Sequence, residues 1–346
     1  MGDSPAYWIA PLCALMSSVT WAVGSNAYSK LARNNSAFAV NFTRGIFALP
    51  CFFTVALIET GGIVQLYHAF LSVHLYQLGW FVLSMFASYA FGDSVFLWAA
   101  RDLGVPATLA IGSIFPVWTA IAGYFLLGQT LALLQIFGLL MAISGVIVVI
   151  LNGPERTREA CMISEKACED SKDAVIIGEI GEILPPIDPP TSHDNAQGKK
   201  TLVKGVFLAV VTSFMWALNS YAVNRGAQGM SAAVGNAIRM SIAPFLVFGI
   251  SRLLGHRGRM TVPFKQVATF SWAFFLEVFG GSYFYMYGLV HAPLAIGPAL
   301  TGLSPVIAVP VALALRLEKF SLPRTIGICL VVAGICFLVG GGARIG

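Results

Sequence analysis

The sequence predicts an all-α polytopic membrane protein whose ten transmembrane helices form two inverted five-helix repeats. Three observations lead there: an apolar composition, ten apolar runs of spanning length, and an internal repeat. Of the 346 residues 57% are apolar and only 11% charged, with a mean hydropathy of +0.78. Soluble domains run at about 45–50% apolar and about 25% charged. So few charges do not cover a water-exposed surface, which excludes a soluble enzyme, a nucleic-acid binder and a disordered scaffold. The net charge of +5 comes from basic residues lying mostly in loops, where positive charge sets orientation.

The apolar runs fall near residues 8–30, 36–58, 76–100, 105–127, 131–151, 202–224, 231–254, 267–290, 294–315 and 323–341. Each approaches the ~20 residues that cross a bilayer. They are apolar all round rather than along one stripe. A lipid-embedded backbone must satisfy its own hydrogen bonds, and runs this long and unbroken do so as helices, not barrel strands. Residues 152–201 differ, with ten acidic and six basic residues and the pairs Pro185-Pro186 and Pro189-Pro190. Such a segment buries too little apolar surface to order itself and reads as a flexible linker. The chain thus divides into a first repeat (1–151), an acidic linker (152–201) and a second repeat (202–346). The amino terminus shows no basic n-region, cleavage site or lipidation motif. Cys13, Cys51, Cys329 and Cys336 sit in apolar runs as small hydrophobes, and Cys161 and Cys168 in the linker read as reduced thiols.

The internal repeat is the most informative feature. A shift of 195 places Trp21 on Trp216, Ser25 on Ser220, Asn41 on Asn236 and Arg44 on Arg239. A shift of 189 places Gly92 on Gly281, Pro116 on Pro305, Gly138 on Gly327 and Gly145 on Gly334. Five spans per unit is an odd number, so the second unit enters the membrane from the opposite face. Inverted repeats of this kind are the architecture of many secondary transporters.

The run Trp21-Ala22-Val23-Gly24-Ser25-Asn26, Arg44, and Leu127-Gly128-Gln129 ahead of the glycine-spaced fifth span resemble the EamA domain of the drug/metabolite transporter superfamily. The pattern recurs from Trp216 to Gly334. Two departures stand out. Gln129 occupies a place where the family often has glutamate, with Glu318 at the matching place in the second half, and Gly24 has Asn219 as its counterpart. The resemblance implies a ten-span carrier for small organic solutes, needing no cofactor, with both termini inside. Counting Lys and Arg implies the reverse orientation. One face carries Lys30, Arg33, Arg101, Arg252, Arg257, Arg259, Lys265, Arg316, Lys319 and Arg324, and the other only Arg225 and Arg344, which puts both termini outside.

Charge inside a span costs at least about 2.5–3.5 kcal/mol on insertion scales, so intramembrane acids point to function. Glu277 lies mid-way along the eighth span, with Ser88 as its repeat mate; Asp93 lies in the third span, with Ser282 as its mate. Both are candidates for loading a proton or holding a cationic group. Arg44 and Arg239, with Asn41 and Asn236 almost one turn earlier, read as scaffold residues. Proline interrupts the fourth span at Pro106 and Pro116 and the ninth at Pro293, Pro298, Pro305 and Pro310. Interrupted spans at matching places mark a transporter's site, which nominates Ser113 with Pro116 and Thr301 with Pro305. Helical spacing aligns Glu277, Gly281, Phe284 and Gly288 on one side of the eighth span, and Ser88, Gly92 and Phe96 on one side of the third. Trp21 and Trp216 complete an aromatic cavity suited to amino-acid-like or amphipathic metabolites, with protons as the coupling ion. The five histidines show no zinc-ligand spacing and there is no P-loop. No catalytic or metal site is expected. A plasma (inner) membrane location is expected, and an integral membrane enzyme is the alternative from a different class.

Overall fold

The computed structural model describes residues 6–115, 117–118, 132–152, 192–291, 300–314 and 321–340. Among them all regular structure is helical. In the first half α1 spans Ala6–Ala32, α2 Ala37–Thr60, α3 Ile63–Leu71, α4 Leu75–Leu103, α5 Val105–Gly112 and α6 Leu133–Leu151. In the second half α7 spans Ser192–Gly226, α8 Ala232–Leu253, α9 residues 264–291, α10 Ser304–Ala314 and α11 Leu322–Gly340. Two differences from the sequence reading stand out. The short helix α3 follows the second span, and residues 192–200, assigned by composition to the linker, are the first turns of α7.

Local chemistry sets the boundaries. Ser36 and Ser231, which the 195 shift superposes, cap α2 and α8 by accepting from the N–H of Ala39 (3.0 Å) and Val234 (3.2 Å). A side-chain oxygen there satisfies one of the N–H groups a helix start leaves unpaired. Gly61, at φ +83°, ends α2 in the left-handed conformation that suits glycine.

Apart from α3, which has no counterpart, the main neighbours of the helices are unchanged when the two halves are exchanged. α1 packs on α9 and α10, and α7 packs on α4 and α5; α2 meets α8, α5 meets α10, and α6 meets α11. The last pair is held by glycines: a Cβ on Gly327 would lie 2.9 Å from the Gly145 carbonyl oxygen. With no hydrophobic driving force between helices in lipid, such close approach supplies the packing. The outward surface bears large apolar side chains such as Phe245, Phe264, Leu75 and Leu133, all exposed. Among the described residues four helices are long and apolar enough to cross a membrane: Ala37–Thr60, Leu75–Leu103, Lys200–Gly226 and Ala232–Leu253.

Candidate functional site

α4 and α9 each change to π-helical geometry half-way, at Phe86–Ala90 and Phe274–Gly281. Such bulges frequently mark functional sites. Here they hold the repeat mates Ser88 and Glu277. Gly92 follows the first bulge because a Cβ there would collide with the Ala87 carbonyl oxygen. Glu277 in turn lies against Gly24 of α1, where a Cβ would come within 2.6 Å of the glutamate's own. The fourth and ninth spans are also broken at matching places: turns at Ser113–Ile114 and Gly302–Leu303 separate α5 and α10 from the rest of their spans. Pro305, the second residue of α10, suits a helix start rather than a helix interior.

These features converge on one cavity of about 110 Å³ at the junction of the two halves. Of the residues nominated from sequence, Glu277, Asp93, Ser88, Gly281, Trp21, Trp216, Ser113 and Thr301 line it. Gly92, Phe284 and Pro305 are not among its lining residues, and Pro116 lies outside the described residues. Tyr285, the repeat mate of Phe96, lines the cavity where Phe284 was expected. The cause is the π segment: its wider turn rotates the downstream face by about one residue. Arg44 and Arg239, read as scaffold residues from sequence, also form part of the cavity wall. Asn41 and Asn236 stand behind them, each accepting from its arginine, at 2.8 and 2.9 Å.

Arg44, only 1% exposed, is the centre of one charged cluster. Its Nη1 lies 3.3 Å from Asp93 Oδ2 and its Nη2 3.1 Å from Glu277 Oε2. The hydroxyl of Tyr28 donates to Glu277 Oε2 at 2.8 Å, and Trp216 Nε1 donates to Asp93 Oδ1 at 3.1 Å. The guanidinium also lies over the rings of Tyr28, Tyr89 and Trp21, with centroids at 4.4, 4.8 and 5.4 Å, a cation–π arrangement. Several of these bonds join the halves: Arg44 and Tyr28 reach Glu277 of α9, and Trp216 of α7 reaches Asp93 of α4. Trp21 and Trp216 meet edge to face at 5.7 Å.

Arg239 is the centre of a second network, whose acceptors are uncharged. Its Nε donates to Ser84 Oγ at 3.1 Å, Nη1 to Asn236 Oδ1, and Nη2 to Asn219 Oδ1 at 3.3 Å. Ser84 donates to Asn219, whose amide donates to the Tyr285 hydroxyl at 2.9 Å. Sequence reasoning did not reach Tyr28, Tyr89 or Ser84, because nothing in their spacing marks them, and it passed over Tyr285, although the 189 register places that residue on Phe96. Asn219 did carry a signal, as the polar counterpart of Gly24.

The EamA-like transporter family model matches residues 8–151 and 203–340, the two halves that meet at this cavity. The chain belongs to that family. An uncharacterized transporter of Archaeoglobus fulgidus is 25% identical over 142 residues, a match covering 41% of this chain and about half (48%) of that relative. A solved crystal structure superposes with a TM-score of 0.58 at 15% identity, covering 95% of this chain and 94% of that one. At that identity the likeness is one of fold. Family and apolar helices agree on an integral membrane protein.

Proposed function

We propose that this EamA-family chain is a secondary transporter of small organic metabolites, crossing the plasma membrane ten times and working by alternating access between inverted halves. The observation that carries this is the buried ion pair between Arg44 of the first half and Glu277 of the second, in the wall of the cavity between them. Alternation needs a contact between halves that is strong in one state and releasable in another. A proton taken up by Glu277 removes its charge, and Arg44 then keeps a partner, Asp93, within its own half. The ion pair between the halves is released without leaving a buried cation unpaired, an arrangement that would be costly. The cavity is somewhat smaller than the ~150 Å³ space that holds benzene in an engineered protein, which favours a cargo of amino-acid size.

In proteoliposomes Glu277→Gln is expected to keep solute exchange and lose accumulation driven by a pH gradient; unchanged accumulation would remove the coupling role. Metabolite profiling inside and outside expressing cells tests the carrier reading itself. Redistribution of chemically unaltered compounds supports it, and new chemical species without redistribution count for an enzyme.

A further inference from the structure

We infer that the loop between α8 and α9, residues 254–263, with the helix ends beside it, binds the phosphate headgroup of anionic phospholipids. Between Arg252 and Lys265 the chain carries Arg252, Arg257, Arg259 and Lys265 and not one acid. All four are exposed, and among the described residues none forms an ion pair with a carboxylate. A cluster of four basic residues beside a membrane helix attracts the anionic lipids of the adjacent leaflet.

Apolar side chains at the same level make the ligand a lipid rather than a free anion. α8 is long and apolar enough to cross a membrane and ends at Leu253, which puts Arg252 at the bilayer rim. Beside it Leu253 is 83% and Phe264 85% exposed, and Leu254 is exposed too. One turn back along α8, Phe248 lies under the Arg252 guanidinium, its ring centroid at 4.9 Å. A phosphodiester with acyl chains meets both the charges and these apolar groups; inorganic phosphate meets only the charges. The planar fork of arginine suits phosphate oxygens in parallel hydrogen bonds.

The loop is fixed from both sides. Gly255 turns the chain at φ +77°. The His256 N–H donates to the Ser251 carbonyl at 2.8 Å, and the His256 carbonyl accepts from Arg252 Nη1 at 3.0 Å. The His256 ring packs on Phe38 of α2 with centroids 5.7 Å apart. Met260 and Val262 are buried, and the Val262 N–H donates to Thr43 Oγ1 of α2 at 3.0 Å. The arginines thus project from a backbone already in place, which lowers the ordering cost of binding.

The repeat provides an internal control. The equivalent connection in the first half, residues 61–74, contains no Lys or Arg and follows Glu59. It forms α3, with Ile63, Val64, Tyr67 and Leu71 exposed. A cationic loop is therefore not something that joining these two helices requires.

The test is thermal unfolding of the purified full-length protein in detergent with dioctanoyl phosphatidylglycerol, dioctanoyl phosphatidylcholine or inorganic phosphate. Phosphatidylglycerol should raise the unfolding midpoint saturably, and less so at high salt, which screens exposed charge. The other two should raise it far less. Joint replacement Arg257→Gln and Arg259→Gln removes two exposed charges and should weaken the apparent affinity by roughly tenfold or more. Arg225→Gln, at an exposed position at the end of α7, should leave the response unchanged. Equal responses to the two lipids, or an undiminished response in the double variant, would overturn the inference. Inorganic phosphate as effective as phosphatidylglycerol would overturn it in favour of a soluble anion. None of these outcomes depends on what the cavity carries, so the carrier proposal stands or falls separately.

Discussion

Arg44 and Arg239 hold the same place in the two repeats, each three residues after a buried asparagine that it contacts, yet their surroundings differ in kind. Arg44 is paired with two carboxylates and stands over three aromatic rings. Arg239 is met by neutral oxygens alone among the described residues. The repeat supplies two equal frames, and differences at a few mates (Ser88 for Glu277, Ser282 for Asp93, Gly24 for Asn219) separate their surroundings. One arginine ties the halves together through an ion pair; the other is held by the hydroxyl of Ser84 and two asparagine carbonyls.

The contrast predicts opposite costs. Arg44→Gln strands two buried carboxylates and should lower stability by about 3–5 kcal/mol, whereas Arg239→Gln strands no acid and should cost about 1–3 kcal/mol through lost hydrogen bonds. Unfolding in detergent, compared between the two variants, checks this; equal losses would erase the distinction. A smaller effect belongs to Tyr28→Phe, which removes the hydroxyl that meets Glu277 at 2.8 Å and the Ala273 carbonyl at 2.9 Å. About 1–2 kcal/mol should be lost, and combining it with Glu277→Gln should cost less than the sum of the single changes. The smallest effect calibrates the scale. Lys204 and Asp102 pair at 3.7 Å with the lysine 68% exposed, so Asp102→Asn should change stability by under about 0.5 kcal/mol.

The fold was legible because the bilayer imposes it: length of apolar run and closure of backbone hydrogen bonds leave little choice. The 195 and 189 registers carry the pairing of the halves, since the contacts of each helix are repeated by its mate. The turns at Ser113–Ile114 and Gly302–Leu303 lie within the stretches that proline nominated. What spacing missed followed from departures from regular helix. The π turns in α4 and α9 shift the cavity face from Phe284 to Tyr285, and a face drawn at 3.6 residues per turn does not follow them. That Arg44 and Arg239 stand in the cavity wall was equally hidden, because snorkelling, scaffolding and lining a site all place arginine one or two turns inside a span.

Composition and repeat by themselves determined that this chain is a helical membrane protein in two halves, and singled out Glu277 and Asp93, because ionisable groups in lipid are too expensive to be incidental. Only the tertiary structure decided which charges pair. Arg44 and Glu277 are 233 positions apart, and partners at that distance meet through helix packing, which no local pattern records.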